Sequence, residues 1–283
     1  MNKFILLICT VALFSCGGNA NNKSAHTSGK GPDPSSSSSA NSSLAVSSQL
    51  ALVPWPSQVV DRNAALKIGG ELSVRIDASA TTAKSAALDL LAGLEIKSAD
   101  AAVVSLHLAL VDQPDLGAEG YSLVIGNNIQ INAQTDAGLF YGIQTLKQLL
   151  PAKAQTTYEL PQVEITDVPQ YAWRGSMVDV ARHFFSLDYL KKHVERMAAF
   201  KLNKLHLHLS DDQGWRMEIK KYPKLTSVGG STAAGGGPGG FYTQEELKEL
   251  VRFAAQHQIE IIPELDMPGH VQAAIASYNE LAC

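Results

Sequence analysis

From residue 171 to residue 283 one pattern occurs three times: a short apolar strand, a loop rich in charged and ring side chains, and a helical segment. The periodicity predicts strands at 176–180, 204–209 and 259–263, and helices at 187–201, 243–257 and from 270 onward. Strands that alternate with helices lie parallel and are joined by right-handed crossovers, so the loops that follow them gather at one end of the sheet. The fold class predicted for residues 170–283 is therefore α/β, an incomplete (β/α)8 TIM barrel of about three βα units.

Residues 50–169 have a different organisation. Alternating apolar residues predict strands at 72–76 and 103–111 and a hairpin at 120–134, and helical spacing predicts helices at 81–94 and 136–150. Strands combined with helices in this order favour an α+β sandwich with its helices on one face of the sheet. This segment contains no catalytic pattern, and we predict that it is a domain that supports the barrel.

The first 49 residues predict export and membrane attachment. Residues 1–16 combine an early lysine, an apolar run and a small residue before Cys16, as in a secretory signal. The run Leu13-Phe14-Ser15-Cys16 resembles a bacterial lipobox, in which the cysteine is lipidated after cleavage. Residues 17–49 are rich in serine and poor in apolar side chains, which predicts a disordered tether. We therefore expect a lipid-anchored protein of the outer membrane or periplasm.

Composition excludes some partners. The net charge is −4, and no basic run or stripe interrupts the sequence. Nucleic-acid-binding domains present clustered lysine and arginine side chains to the phosphate backbone. We therefore expect no nucleic acid among the partners of this chain.

Three residues follow the predicted barrel strands and form the candidate site. Arg182 lies just past the first strand, where a guanidinium can make paired hydrogen bonds to neighbouring hydroxyls or to a carboxylate. Asp211 and Asp212 end the second strand, and their side chains should diverge, so that one faces the pocket and the other caps a loop. His270 follows the third strand, and a carboxylate such as Asp211 would hold its ring in one orientation.

Two further histidines leave an alternative open. His206 and His208 alternate along the second strand and so point to the same side of it. An H-x-H pair after a barrel strand can bind a divalent metal, as in metal-dependent amidohydrolases. We expect both rings to be packed and hydrogen-bonded instead, and we predict no metal. The glycine-dense run at 227–240 lacks the spacing of a phosphate-binding loop, and we predict a mobile loop over the site.

Four segments carry a resemblance to a known family. They are RGSMVDVARHFF (174–185), NKLHLHLSDDQGWR (203–216), GGSTAAGGGPGGFYT (229–243) and EIIPELDMPGH (260–270). Together and in this order they closely resemble the N-terminal portion of glycoside hydrolase family 20, the β-N-acetylhexosaminidases and chitobiases. The resemblance is strong over 172–283, and residues 50–169 are more loosely similar to the supporting domain of that family.

The resemblance implies a function and a role for each candidate residue. Arg182 matches the arginine that binds the 3- and 4-hydroxyls of the terminal sugar, and Asp211 with His270 matches a relay that orients a catalytic glutamic acid. The family removes terminal non-reducing N-acetylhexosamine with retention, using the acetamido group of the substrate as nucleophile. No metal or other cofactor is implied. The partners implied are chitin oligosaccharides or other glycans that end in N-acetylhexosamine.

The sequence departs from the family at one point. The family carries its catalytic Asp-Glu pair in a Gly-Gly-Asp-Glu setting, and no segment of residues 1–283 matches it. We therefore expect a chain truncated before that pair and inactive by itself. Two alternatives are a non-catalytic glycan-binding lipoprotein and the metal-dependent amidohydrolase mentioned above.

Overall fold

The structure is a computed structural model, and it describes residues 50–282. The expectations for the signal segment 1–16, for lipidation of Cys16 and for the tether 17–49 concern residues outside that range. Among the helices formed by residues 50–282, none has the length and apolar character needed to cross a bilayer.

The first part of the described chain contains seven strands and two helices. They are β1 (Gln58–Ile68), β2 (Glu71–Ile76), α1 (Thr81–Gly93), β3 (Lys97–Ser98), β4 (Ser105–Leu110), β5 (Tyr121–Ile125), β6 (Ile129–Ala133), α2 (Asp136–Leu149) and β7 (Tyr158–Asp167). The strands form one mixed sheet in the order β1-β7-β5-β6-β4-β2-β3. The predicted hairpin is the antiparallel pair β5 and β6, whereas β2, β4 and β6 run parallel to one another.

One face of this sheet is buried beneath the helices. Alternate residues of the central strands, such as Leu108, Leu123 and Ile131, are inaccessible to solvent, while His107 and Gln130 between them are exposed. Helix α2 lies across β4, β5 and β6, and α1 packs beside α2. The predicted α+β architecture with helices on one sheet face is therefore confirmed.

The second part of the described chain alternates strands with helices. Its elements are β8 (Gly175–Asp179), α3 (Leu187–Ala199), β9 (Lys204–His208), β10 (Ser210–Asp211), β11 (Gly214–Trp215), α4 (Lys224–Ser227), α5 (Gln244–Gln256), β12 (Glu260–Glu264) and α6 (Gln272–Ser277). Strands β8, β9 and β12 form a parallel sheet with β9 in the centre. The predicted partial barrel region is confirmed, but its last helix begins at Gln272, because His270 has a positive φ of 55° that an α-helix does not accept.

The two sides of β9 have different surroundings. Leu205 and Leu207 are fully buried and join the apolar faces of α3 and α5 in one core. His206 and His208 point to the opposite side, as their alternation predicts. This division leaves polar side chains on the face that would be the interior of a barrel.

Buried and partly buried ion pairs join the two parts of the described chain. The ammonium of Lys201, which follows α3, lies 2.8 Å from Asp167 Oδ2 at the end of β7. Arg174, just before β8, donates from Nη1 to Glu119 Oε2 at 2.8 Å. These pairs lie at the amino ends of the parallel strands, so they fix the barrel units on the sheet at the end opposite to the candidate site.

Candidate functional site at the strand ends

The loop after β8 is shaped by the last residue of that strand, Asp179. Its Oδ1 accepts hydrogen bonds from the backbone N–H groups of Ala181 at 3.0 Å and Arg182 at 2.9 Å. Its Oδ2 accepts a hydrogen bond of 2.6 Å from Arg182 Nη1. Burial alone would raise the pKa of Asp179, but the contacts with Arg182 outweigh it and lower that pKa. The guanidinium is thus aimed from β8 toward the end of β9.

Asp211 lies at the centre of the site and is 1% exposed. Its Oδ2 forms an ion pair with Arg182 Nη2 at 2.7 Å and lies in hydrogen-bond contact with His208 Nε2 at 2.8 Å. Its Oδ1 accepts from the backbone N–H of Asp212 at 2.6 Å and lies 3.2 Å from His270 Nδ1. Burial would raise the pKa of Asp211, but these donors outweigh it and hold the pKa below its ordinary value. Asp211 is therefore an ionised carboxylate with four polar contacts: one guanidinium, two imidazole rings and one backbone N–H.

The neighbouring Asp212 has a different task. The short antiparallel pair of β10 and β11 turns the chain at this point, and successive side chains diverge. Asp212 is exposed, and its Oδ1 accepts a hydrogen bond of 3.1 Å from the backbone N–H of Gln272, the first residue of α6. One aspartate thus faces the site and the other caps a loop, as the sequence predicts.

His270 is held by its backbone conformation and by one ring nitrogen. The residue has a positive φ, which turns its side chain back toward β9, and Nδ1 contacts Asp211. The ring is 52% exposed, and its Nε2 has no hydrogen-bond partner within residues 50–282. A histidine in this arrangement presents one free nitrogen at the mouth of the site, with its orientation set by a buried carboxylate.

Glu264, at the end of β12, extends the network beneath Asp211. It is the register partner of His208, which in turn is the register partner of Asp179. Glu264 Oε2 lies 2.5 Å from His206 Nε2 and 3.1 Å from His208 Nδ1. Burial would lower the pKa of His208, but hydrogen bonds to Asp211 and Glu264 outweigh it and raise that pKa. Both histidines of the H-x-H pair therefore lie against a carboxylate.

The glycine-rich run is bound to the site by one buried arginine. Arg216 is 0% exposed and donates hydrogen bonds of 2.7–3.2 Å to five backbone carbonyls, those of Val180, Ala181, Gly230, Thr232 and Gly240. Two of these carbonyls precede Arg182 and three belong to the run. The backbone N–H of Ala234 also donates to the Arg182 carbonyl at 2.8 Å. The run thus packs against the loop that carries Arg182.

The three residues predicted as a site are brought together, since Arg182 and His270 both contact Asp211. Sequence reasoning missed Asp179, Glu264 and Arg216. The first had a usable signal, because an aspartate three residues before an arginine at a strand end can fold the loop and pair with the guanidinium. Glu264 had none, because its partnership with His208 depends on the register of β12 against β9.

Parallel strands joined by helices, with ionisable side chains converging where the strands end, define a protein of the α/β-barrel class with its site at the carboxyl ends of the strands. Residues 171–283 match the family model for glycosyl hydrolase family 20, catalytic domain, and residues 49–168 match that for glycosyl hydrolase family 20, domain 2. The chain therefore belongs to glycosyl hydrolase family 20.

Relatives and solved structures agree with this assignment. A β-hexosaminidase of Porphyromonas gingivalis is 39% identical over 82% of this chain and 32% of its own length. The structure of Streptomyces plicatus N-acetyl-β-hexosaminidase in complex with Thio-NAglucal is 43% identical, with a TM-score of 0.74 over 82% of this chain and 49% of that one. A Vibrio harveyi exo-β-N-acetylglucosaminidase in complex with N-acetylglucosamine is 34% identical, with a TM-score of 0.72 over 81% of this chain and 38% of that one. The chain thus spans between about a third and a half of the length of these proteins.

Proposed function

We propose that this chain is the part of a β-N-acetylhexosaminidase that binds the terminal sugar and orients the catalytic acid. The substrates are glycans, such as chitin oligosaccharides, that carry a terminal non-reducing N-acetylhexosamine. The proposal rests on one observation, the convergence of Arg182 and His270 on the buried carboxylate of Asp211. Family membership and the hexosaminidases among the relatives support the choice of substrate class.

Arg182 is suited to bind two neighbouring hydroxyls. Its guanidinium is 43% exposed and is held on one side by Asp179 and Asp211, so the exposed edge has a fixed direction. A planar fork of N–H donors matches a pair of adjacent hydroxyl oxygens, whereas the single ammonium of lysine does not. We assign the 3- and 4-hydroxyls of the terminal sugar to this edge.

Asp211 and His270 are suited to orient a catalytic acid. Asp211 fixes Nδ1 of the ring, and the free Nε2 is available to a glutamic acid that protonates the leaving oxygen. The acetamido oxygen of the substrate attacks the anomeric carbon as the bond to the leaving oxygen breaks, and water then attacks the same carbon from the opposite face and releases the acetamido oxygen, so two inversions give retention without a protein nucleophile. Neither step requires a metal ion.

Sugar binding provides the test. Saturation-transfer NMR on purified 1–283 with N-acetylglucosamine should give transfer from protein to sugar, and Arg182→Lys should reduce it several-fold. Arg196→Lys is the matched control, because Arg196 is exposed in the last turn of α3, the helix that leads to the amino end of β9. Equal transfer in Arg182→Lys and wild type, or none in wild type, would contradict the proposed role.

Activity is a separate question. The Asp-Glu pair that the family resemblance assigns to acetamide binding and acid catalysis matches no segment of residues 1–283. We infer that these 283 residues alone do not hydrolyse hexosaminides. Purified 1–283 is expected to release no 4-nitrophenol from 4-nitrophenyl N-acetyl-β-glucosaminide above the blank. Turnover that Asp211→Asn abolishes would overturn this inference.

We also propose that the chain is exported and anchored by lipid on Cys16, in the outer membrane or facing the periplasm. The lipobox-like run before Cys16 and the serine-rich segment after it support this. Metabolic labelling with a fatty acid in a Gram-negative host should label the wild type and leave Cys16→Ser unlabelled. Equal labelling of both would contradict lipidation at Cys16.

A further inference from the structure

The two peptide units that precede Arg182 are each bound at both ends. The backbone N–H groups of Ala181 and Arg182 donate to Asp179 Oδ1, at 3.0 and 2.9 Å. The carbonyl of Val180 accepts from Arg216 Nε at 3.0 Å, and that of Ala181 accepts from Arg216 Nη2 at 2.7 Å. Asp179 therefore holds the N–H of each unit, and Arg216 holds the carbonyl.

The peptide unit that follows Arg182 is bound by the glycine-rich run 227–240. The Arg182 carbonyl accepts a hydrogen bond of 2.8 Å from the backbone N–H of Ala234. Because the backbone has only two soft torsion angles per residue, fixing the peptide units on both sides of Arg182 fixes the direction of its Cα–Cβ bond. The direction in which the guanidinium leaves the backbone thus depends on groups outside its own strand and loop.

Arg216 uses all of its N–H donors in this arrangement. Nε donates once, Nη1 twice and Nη2 twice, so five donors meet five carbonyls. The guanidinium also lies against Gly214, where a Cβ atom would come within 2.2 Å of Nη2. Arg216 therefore joins the loop that carries Arg182 to the glycine-rich run, in a space that its planar group fills.

The segment just after Arg182 is held by packing against the end of the same run. The ring of Phe184 lies 5.9 Å from Arg216 Cζ, and its centroid is 5.1 Å from that of Tyr242. A Cβ atom at Gly240 would come within 2.4 Å of the Phe184 ring, so glycine allows the close approach. The loop is thus supported on both sides of Arg182.

We propose that Arg216 is a positioning residue for sugar binding. It acts through the backbone of residues 180–182 and sets the direction in which Arg182 presents its guanidinium. The glycine-rich run supplies the three further carbonyls that hold Arg216 in place. This inference rests on the role proposed above for Arg182 in binding the terminal sugar. Arg216 is 0% exposed, so it acts on the sugar through Arg182.

The number of donors predicts a graded series of variants. An ammonium has three N–H donors, so Arg216→Lys leaves at least two of the five carbonyls without this partner. Arg216→Met supplies no donor and frees both carbonyls that precede Arg182. The disturbance of Arg182 should therefore be largest in Arg216→Met and smaller in Arg216→Lys.

The first measurement needs no sugar. NMR of 1–283 labelled with 15N-arginine records the guanidinium N–H signals, and Arg182→Lys identifies those of Arg182. Because Asp179 and Asp211 hold Nη1 and Nη2, these signals should be resolved in the wild type. Arg216→Met should shift them or broaden them into one, Arg216→Lys should change them less, and the matched control Arg252→Met, at an exposed position of α5, should leave them unchanged.

The second measurement is saturation transfer to N-acetylglucosamine on the same proteins. Arg216→Met should reduce the transfer several-fold, and Arg216→Lys should restore part of it. Circular dichroism identifies the folded variants, and Arg216→Lys alone decides the question if Arg216→Met does not fold.

The two measurements separate the possible outcomes. Folded variants with the Arg182 signals of the wild type would overturn the positioning role, even if they bound less sugar. An absence of transfer in the wild type would overturn the proposed function instead, and the Arg182 signals would still decide whether Arg216 positions that side chain.

Discussion

Replacement of Arg216 should destabilise the described part of the chain more than replacement of any exposed arginine. The fully buried guanidinium satisfies five backbone carbonyls from two separate segments. In Arg216→Met the Gly230 carbonyl keeps the N–H of Gly240, but the other four lose the side-chain donor. Methionine fills a similar volume, so the change isolates the hydrogen bonds from the packing.

The magnitude follows from these contacts. A buried carbonyl without a donor costs about 1–3 kcal/mol, so four of them cost at least about 4 kcal/mol. Removal of the buried charge returns part of this, because burial of a guanidinium is itself unfavourable and lowers the pKa of Arg216. We expect a net loss of about 3 kcal/mol for Arg216→Met. Arg216→Lys should lose less, since an ammonium can serve at most three carbonyls.

Guanidinium chloride unfolding of 1–283, followed by circular dichroism and tryptophan fluorescence, measures the difference. Trp215 lies next to the substituted residue and reports on this region. The matched control is Arg252→Met, at an exposed position of α5, which should change the free energy of unfolding by less than about 0.5 kcal/mol. A loss below about 1 kcal/mol for Arg216→Met would refute the argument that the carbonyls depend on this side chain.

Three further predictions concern stability. Lys201→Met should lower the free energy of unfolding by about 3 kcal/mol because it leaves Asp167 without its cation, and Asp167→Asn in the same chain should recover part of the loss in urea unfolding. Burial would raise the pKa of Glu119, but hydrogen bonds from Arg174 and other donors lower it, so stability should fall as the pH falls through and below 4.5. A Glu119→Gln chain should show a smaller fall between neutral and acid pH; an equal fall in thermal midpoint would contradict the assignment. Thr243→Ala removes the capping box of α5 and should cost about 1 kcal/mol, whereas an unchanged midpoint would show that the cap is not stabilising.

The barrel units were predictable because their signal is local. Each parallel strand is short and apolar and is followed by an amphipathic helix, so β8, β9 and β12 could be located within a few residues. The two longest strands, β1 and β7, were not predicted. Strand β1 lies at the sheet edge, is mostly exposed and has an irregular register between Asp61 and Ala65. An exposed, irregular edge strand lacks the regular alternation on which the prediction depends.

The site was predictable only in part. Arg182, Asp211 and His270 each follow a strand, and parallel strands bring their carboxyl ends together, so proximity could be inferred from order alone. The partnership of Glu264 with both histidines depends on the register of β12 against β9, which the sequence does not specify. The hydrogen bonds of Arg216 go to backbone carbonyls, and the positions of these carbonyls cannot be predicted from the sequence. The roles assigned to the site residues stay predictions.

The four polar contacts of Asp211 have a consequence for the redesign of this protein. The contacting groups come from three separate stretches of the chain. The position of each group depends on the positions of the others. An insertion in the segment before His270 would shift Arg182, some ninety residues earlier, because both side chains contact the carboxylate of Asp211. Substrate range is therefore better altered at positions that do not touch that carboxylate, because changes there do not propagate between loops.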